Sequence, residues 1–131
     1  MDDELLEKGR DIQERLWPQM RAGTGRLPAA RLAPDFFHYV AESAFGMIWS
    51  RPGLPLRDRS LVTVAQLAAL GRTEELRAHL AGALNVGVSR EELVEVLMQT
   101  AIYAGVPAAN EALRTAVDVL GTDDAESFKE R

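Results

Sequence analysis

Apolar residues recur along this chain at helical rather than strand spacing. Leu5, Leu6, Ile12, Leu16 and Met20 fall near every fourth position among charged residues, which predicts an amphipathic first helix stopping between Trp17 and Ala22. Gly23, Gly25 and Pro28 predict a loop after it. Phe36, Phe37, Val40, Ala44, Phe45, Ile48 and Trp49 carry a second helix. It starts after Pro34, with Asp35 favouring its positive end, and stops at Arg51, Pro52, Gly53 and Pro55. From Arg57 to Leu70, Leu61, Val64, Ala65, Leu67 and Ala68 cover more than half the circumference, the pattern of a central helix buried on nearly all sides.

The breaks are equally readable. Gly71 suits a left-handed C-terminal cap, and a fourth helix runs from there to about Asn85. Ser89-Arg90-Glu91-Glu92 has the form of a capping box and opens a fifth helix on Leu93, Val96, Leu97, Thr100 and Ala101. Gly105-Val106-Pro107 breaks it before a sixth helix on Ala109, Ala112, Val117 and Leu120, and the tail after Gly121 is charged and expected to fray. No strand-like alternation, internal repeat or low-complexity tract interrupts this pattern, so the chain is expected to be one all-α domain of about six helices.

Composition narrows the chemistry. With 131 residues and 47% apolar content the chain can bury a core without disulfides or structural metal. The absence of cysteine closes off thiol nucleophiles, CxxC redox chemistry and zinc-cysteine sites, and a count of two histidines, His38 and His79, argues against a histidine cage. A net charge of -5 argues against wrapping nucleic acid or lying on anionic lipid. The acidic start lacks a signal-peptide pattern, and no apolar run is long enough to span a bilayer, so a cytoplasmic location is expected.

The fourth helix carries the most suggestive polar groups. Arg72, Glu75 and His79 lie at i, i+3 and i+7, which at about 100° per residue aligns them in one stripe. A carboxylate four residues from an imidazole can touch it, orient it and raise its pKa, a pairing suited to proton transfer. An ordinary solvated helix face has the same spacing. Arg51, Arg57, Arg59 and Arg72 flank the central helix, where guanidinium groups can fork onto small carboxylates or simply solubilise helix ends. His38 reads as structural, and Phe45, Trp49 and Tyr103 as either core or pocket wall. No phosphate loop, nucleophile elbow or metal-ligand spacing occurs, so no cofactor is expected.

Taken together, Phe45-Gly-Met-Ile-Trp-Ser-Arg-Pro-Gly-Leu54, Arg59-Ser-Leu61, Leu67-Ala-Ala-Leu-Gly-Arg72, Glu75-Leu-Arg-Ala-His79, Gly82-Ala-Leu84, Glu91-Glu-Leu93 and Tyr103-Ala-Gly-Val-Pro-Ala-Ala109 resemble the carboxymuconolactone decarboxylase family. The resemblance covers roughly residues 34–120, flanked by an N-terminal helix and loop over 1–31 and a charged tail over 121–131. It implies an alkylhydroperoxidase D-like helical bundle, assembled as a homo-oligomer, typically a trimer or hexamer. Related disulfide reductases carry Cys-x-x-Cys-x-x-x-His where this chain has Arg72, Glu75 and His79, and a proton-relay glutamate where it has Ser60.

The implied activity is cofactor-independent decarboxylation of a carboxylated butenolide, whose conjugated lactone accepts the electrons released with carbon dioxide. By the same resemblance His79, Glu75 and Arg72 are the expected catalytic group. Arg51, Arg59, Trp49, Ser60 and Tyr103 are the expected substrate-binding residues. Family members commonly show Gly-Glu-(Ile/Val)-Trp where this chain has Gly46-Met47-Ile48-Trp49, replacing a carboxylate expected near the site by a thioether. The competing readings are a relative acting on another lactone or β-keto acid, and a non-catalytic oligomeric ligand-binding protein.

Overall fold

Glycine, serine and proline set the breaks between helices. The computed structural model describes residues 3–19 and 28–122, and among these it is helical with no strand. The elements are α1 (Asp3–Leu16), α2 (Pro28–Leu32), α3 (Pro34–Val40), a π-helix (Ala41–Trp49), α4 (Leu56–Leu70), α5 (Thr73–Asn85), α6 (Arg90–Tyr103) and α7 (Val106–Leu120). Gly71 takes the left-handed conformation (φ 71°) that ends α4, at little cost without a Cβ. At Ser89 the hydroxyl accepts from Glu92 N–H at 3.0 Å while Glu92 accepts from Ser89 N–H at 2.9 Å, so the expected capping box is formed in full.

Two packing units meet along α5. In the first, α4 and α7 pack on the apolar face of α5 and α6 packs in turn on α4 and α7, and Val64, Ala68, Leu76, Leu80, Leu93, Leu97, Ala112 and Ala116 are sealed among them. Arg57 at the start of α4 pairs with Glu92, so the α6 cap also ties two helices together. Arg77 bridges Asp118 of α7 at 2.9 Å and Glu74 at 2.6 Å. In the second unit α1 lies along the π-helix and its C-terminal end reaches α5.

The contact between α1 and the π-helix is backbone on backbone. A Cβ on Gly9 would fall 1.8 Å from the Ala41 carbonyl oxygen, and one on Gly46 would fall 2.1 Å from the Leu5 carbonyl oxygen. Glycine is therefore required on both sides for its lack of a side chain. The π-helix itself is a departure from the single α-helix predicted over 34–49. Its hydrogen bonds skip one residue further, as in Ser50 N–H to the Phe45 carbonyl at 3.1 Å, and the Ser43 hydroxyl donates to the Tyr39 carbonyl at 2.7 Å. Carbonyls displaced from α-helical pairing thus find side-chain donors, and the wider turn presents Ala41, Phe45 and Gly46 to α1.

Three other expectations are corrected. The first helix ends at Leu16, and Pro28 opens the short helix α2 because proline's missing N–H is harmless in a first turn; Gly23, Gly25 and most of the charged tail lie outside the described residues. The π-helix and α2 bring the count to seven α-helices and one π-helix among the described residues. Finally, α4 is not enclosed on nearly all sides within one chain: Ser60, Val64 and Ala68 are buried, whereas Val62 and Leu70 stand exposed.

Gly9→Ala is expected to cost about 1–3 kcal/mol by overpacking, read as a lowered Tm, whereas Gly53→Ala, whose Cβ would meet nothing within 4 Å, should leave Tm nearly unchanged. Ser89→Ala should cost about 1 kcal/mol through loss of the cap.

Candidate active site

The central turn of α5 turns one polar side chain inward. His79 is mostly buried, and two indoles enclose its ring: Trp49, at the end of the π-helix, stacks at 5.9 Å between centroids and 28° between planes. Trp17, just past the end of α1, meets it edge-on at 5.0 Å and 74°. Phe45 closes the back of the box, 5.5 Å from Trp49 and 5.8 Å from Trp17. Such tilted and edge-to-face arrangements suit aromatic quadrupoles and leave little room for water.

Burial governs the electrostatics of the imidazole. Desolvation lowers the His79 pKa to about 4, against a smaller upward pull from the Glu75 carboxylate. This corrects the expectation of a raised pKa. Glu75 is exposed on the first turn of α5 and acts through space, with no hydrogen bond or ion pair to His79. His79 is therefore neutral at physiological pH. Its Nδ1 is buried with no hydrogen-bond partner, so the ring's residual exposure lies toward Nε2. A buried lone pair costs less than a buried orphan N–H, which puts the proton on Nε2.

The remaining candidates fall at different depths. Arg72 is the N-cap residue of α5 and is exposed, as is Arg51, and neither guanidinium has a side-chain partner among the described residues. Arg59 donates from Nη2 to the Arg51 carbonyl at 3.2 Å, bracing the 51–55 loop, while its Nε is buried and unpartnered. Ser60 is wholly buried with its hydroxyl unpartnered, which puts it behind the surface a ligand would touch. Arg57 is engaged by Glu92 and Asp58 and so is not a free anchor. Tyr103 is 85% exposed at the end of α6, so it does not wall the aromatic box of its own chain.

Met47, the departure from the family pattern, is 52% exposed on the π-helix, whereas Phe45 and Gly46 before it are buried. His38, read as structural, faces Glu42 at 3.7 Å. Among the described residues no group of three or more His, Asp or Glu side chains is placed to hold a metal ion. Trp17 is the residue that sequence reasoning missed. Its position at a predicted helix end, with no periodic signal linking it to His79, gave nothing to find it by.

A sequence model of the carboxymuconolactone decarboxylase family matches residues 34–118, and the chain belongs to that family. It is 49% identical over 118 residues, 90% of this chain and 88% of the other, to 4-carboxymuconolactone decarboxylase of Acinetobacter baylyi. It is 38% identical over 74 residues, 56% of this chain and 52% of the other, to nitrosuccinic acid decarboxylase of Metarhizium robertsii. A 15.0 kDa protein of Paracoccus denitrificans is 27% identical over 125 residues, covering 94% of this chain and 92% of its own length.

The depressed pKa makes a signed prediction. Because the neutral ring is favoured on folding, its contribution is complete above pH 6.5 and is lost as pH falls toward about 4. That loss is on the order of 3 kcal/mol. In His79→Phe, which keeps the aromatic contacts, stability measured by urea unfolding should fall less over this window than in the parent. The Arg57–Glu92 pair leaves its own mark lower down, because Glu92, held at about 2 by the Arg57 hydrogen bond, loses its contribution as pH falls from 4.5 toward that value.

Proposed function

We propose that the chain decarboxylates 4-carboxymuconolactone to the 3-oxoadipate enol-lactone, without a cofactor, in the cytoplasm. The likeness to the Acinetobacter baylyi decarboxylase, extending over nine-tenths of the chain, carries this reading. The chemistry fits the site. As the C–C bond to the carboxylate breaks, its electron pair runs through the conjugated double bond onto the lactone carbonyl oxygen, and carbon dioxide leaves. The protein must anchor the carboxylates, stabilise the enolate oxygen and return one proton to carbon.

Neutral His79 supplies an Nε2–H hydrogen bond toward the developing oxyanion in a dry setting, where one such donor is worth about 2.7–4 kcal/mol. The substrate's own negative charge, brought against the ring, raises the imidazole pKa, so His79 takes up a proton in the complex. The added proton enters at Nδ1, since Nε2 already carries one. The imidazolium then gives its Nε2 proton to the dienolate carbon, which leaves a neutral ring protonated at Nδ1, and exchange with solvent returns the proton to Nε2, so the cycle consumes the one proton that decarboxylation of a carboxylate requires. Arg72 binds the lactone oxygen or a carboxylate, and Glu75 adds a field that favours the protonated ring. Arg51 and Arg59 at the 51–55 loop anchor the substrate's charge, with Ser60 supporting that loop from behind and Trp49 as a wall.

The working form is a homo-oligomer, a trimer or hexamer. Val62 and Leu70 on α4 and Met98, Ile102 and Tyr103 on α6 are exposed apolar groups on neighbouring helices, more apolar surface than a lone small domain ordinarily leaves wet. In that assembly Tyr103 reaches substrate from a second copy.

Incubation with 4-carboxymuconolactone should release carbon dioxide with loss of the substrate's absorbance. His79→Ala should cut kcat by roughly 10²–10⁴ without loss of fold by circular dichroism; full turnover in that variant would remove the assignment. Binding of a non-reacting dicarboxylate lactone should take up a proton, seen as buffer-dependent heats in calorimetry, and His79→Ala should abolish the uptake. Small-angle scattering that returns a monomer would remove the oligomer.

A further inference from the structure

The family match begins at residue 34, yet one face of the His79 box comes from residue 17. Three observations fix how it gets there. The Trp17 indole Nε1–H donates to the Ala78 carbonyl at 2.8 Å, one residue before His79, so the indole is anchored to the turn it covers. Asn85 Nδ2 donates to the Leu16 carbonyl at 2.7 Å, tying the last turn of α1 to the last turn of α5, and Leu16 is fully buried. Gly82 lets the two approach, since a Cβ there would stand 3.2 Å from Trp17 Nε1 and 3.4 Å from Leu16.

The indole is thus held from both ends. The main-chain N–H of Trp17 donates to the Gln13 carbonyl at 2.7 Å at the end of α1, and the indole is set edge-on against both His79 and Phe45. An imidazole stacked on Trp49 alone would be free to tilt; the second indole, edge-on and anchored to the turn that carries the ring, opposes this.

We propose that Trp17 is a positioning residue for His79, its anchored indole locking the imidazole against Trp49, so that Nε2 is the edge offered to a ligand. It does not touch the reacting atoms. This rests on the reading of His79 as the group that acts on substrate, but the placement of the ring is separately measurable. Of the charged groups on the elements around the ring, Glu75 of α5 is the one whose field reaches it; the residue following α1 and the π-helix present Trp17, Phe45 and Trp49.

The test is an NMR titration of the imidazole in the ligand-free protein, where His38 is the only other histidine and is assigned with His38→Gln. His79 should titrate near 4 with its proton on Nε2. Trp17→Ala should move the midpoint up by about one unit or more toward the free value and mix the tautomers. Gly82→Ala, which displaces the indole without touching His79, should shift it in the same direction by less. Trp17→Phe, which keeps an aromatic edge but loses the N–H anchor, should fall between parent and alanine variant. Asn85→Ala, which loosens α1 while leaving the indole its own hydrogen bond, should lower Tm and leave the midpoint in place.

With substrate, Trp17→Ala should lower kcat about tenfold or more while KM moves much less, as expected when a reacting group is misplaced. The proposal is overturned if Trp17→Ala, or Trp17→Phe and Gly82→Ala where the alanine variant does not fold, lowers Tm but leaves the midpoint and tautomer unchanged. It is equally overturned if Asn85→Ala shifts the midpoint as far as Trp17→Ala does. Should the midpoint move as expected while the parent protein leaves 4-carboxymuconolactone untouched, the placement of His79 by Trp17 stands and the assigned substrate falls.

Discussion

Removal of water from one imidazole is the constraint on which the site depends. His79 comes from α5, yet α5 alone would leave it on a helix surface. The dryness is supplied by the π-helix through Trp49 and Phe45 and by the end of α1 through Trp17. Those two elements reach α5 together because they are fused to each other where Gly9 and Gly46 allow main chain to lie on main chain. The missing side chains of Gly9 and Gly46 thus bear on the desolvation of the imidazole through packing rather than through charge.

The bundle of α4 to α7 has a different task. Its core is aliphatic and its helix ends are fastened by paired charges at Arg57–Glu92 and Arg77–Asp118. Exposed pairs of this kind add modest stability, but they fix the relative register of helices. This rigid half gives α5 a constant direction, against which the more loosely derived α1 and π-helix half can set its aromatic rings.

Much of this was readable from residue order, and the reasons for the exceptions are physical. Gly71, Ser89 with Glu92, and Gly105 act through neighbours in sequence, so their caps and breaks are found where expected. His79 stands out by its spacing and by the family resemblance. The sign of its electrostatics does not, because Glu75 is a visible neighbour four residues away, whereas the indoles that outweigh it arrive from distant parts of the chain. The π-helix is illegible for a related reason: over Ala41–Trp49 the apolar spacing suits an α-helix equally well, and only the approach of α1 to Gly46 distinguishes the two. Tyr103 shows the converse limit, being an aromatic at the right place in a motif but on the outside of its own chain.

The chain has two tryptophans, and both rest against the same imidazole. Its indole emission, excited selectively over that of the two tyrosines, consequently originates at the place where a ligand would arrive, with no background from indoles elsewhere. The fold has built a fluorescent probe into its own centre, one that needs no label to sense occupancy or a change of charge beside it.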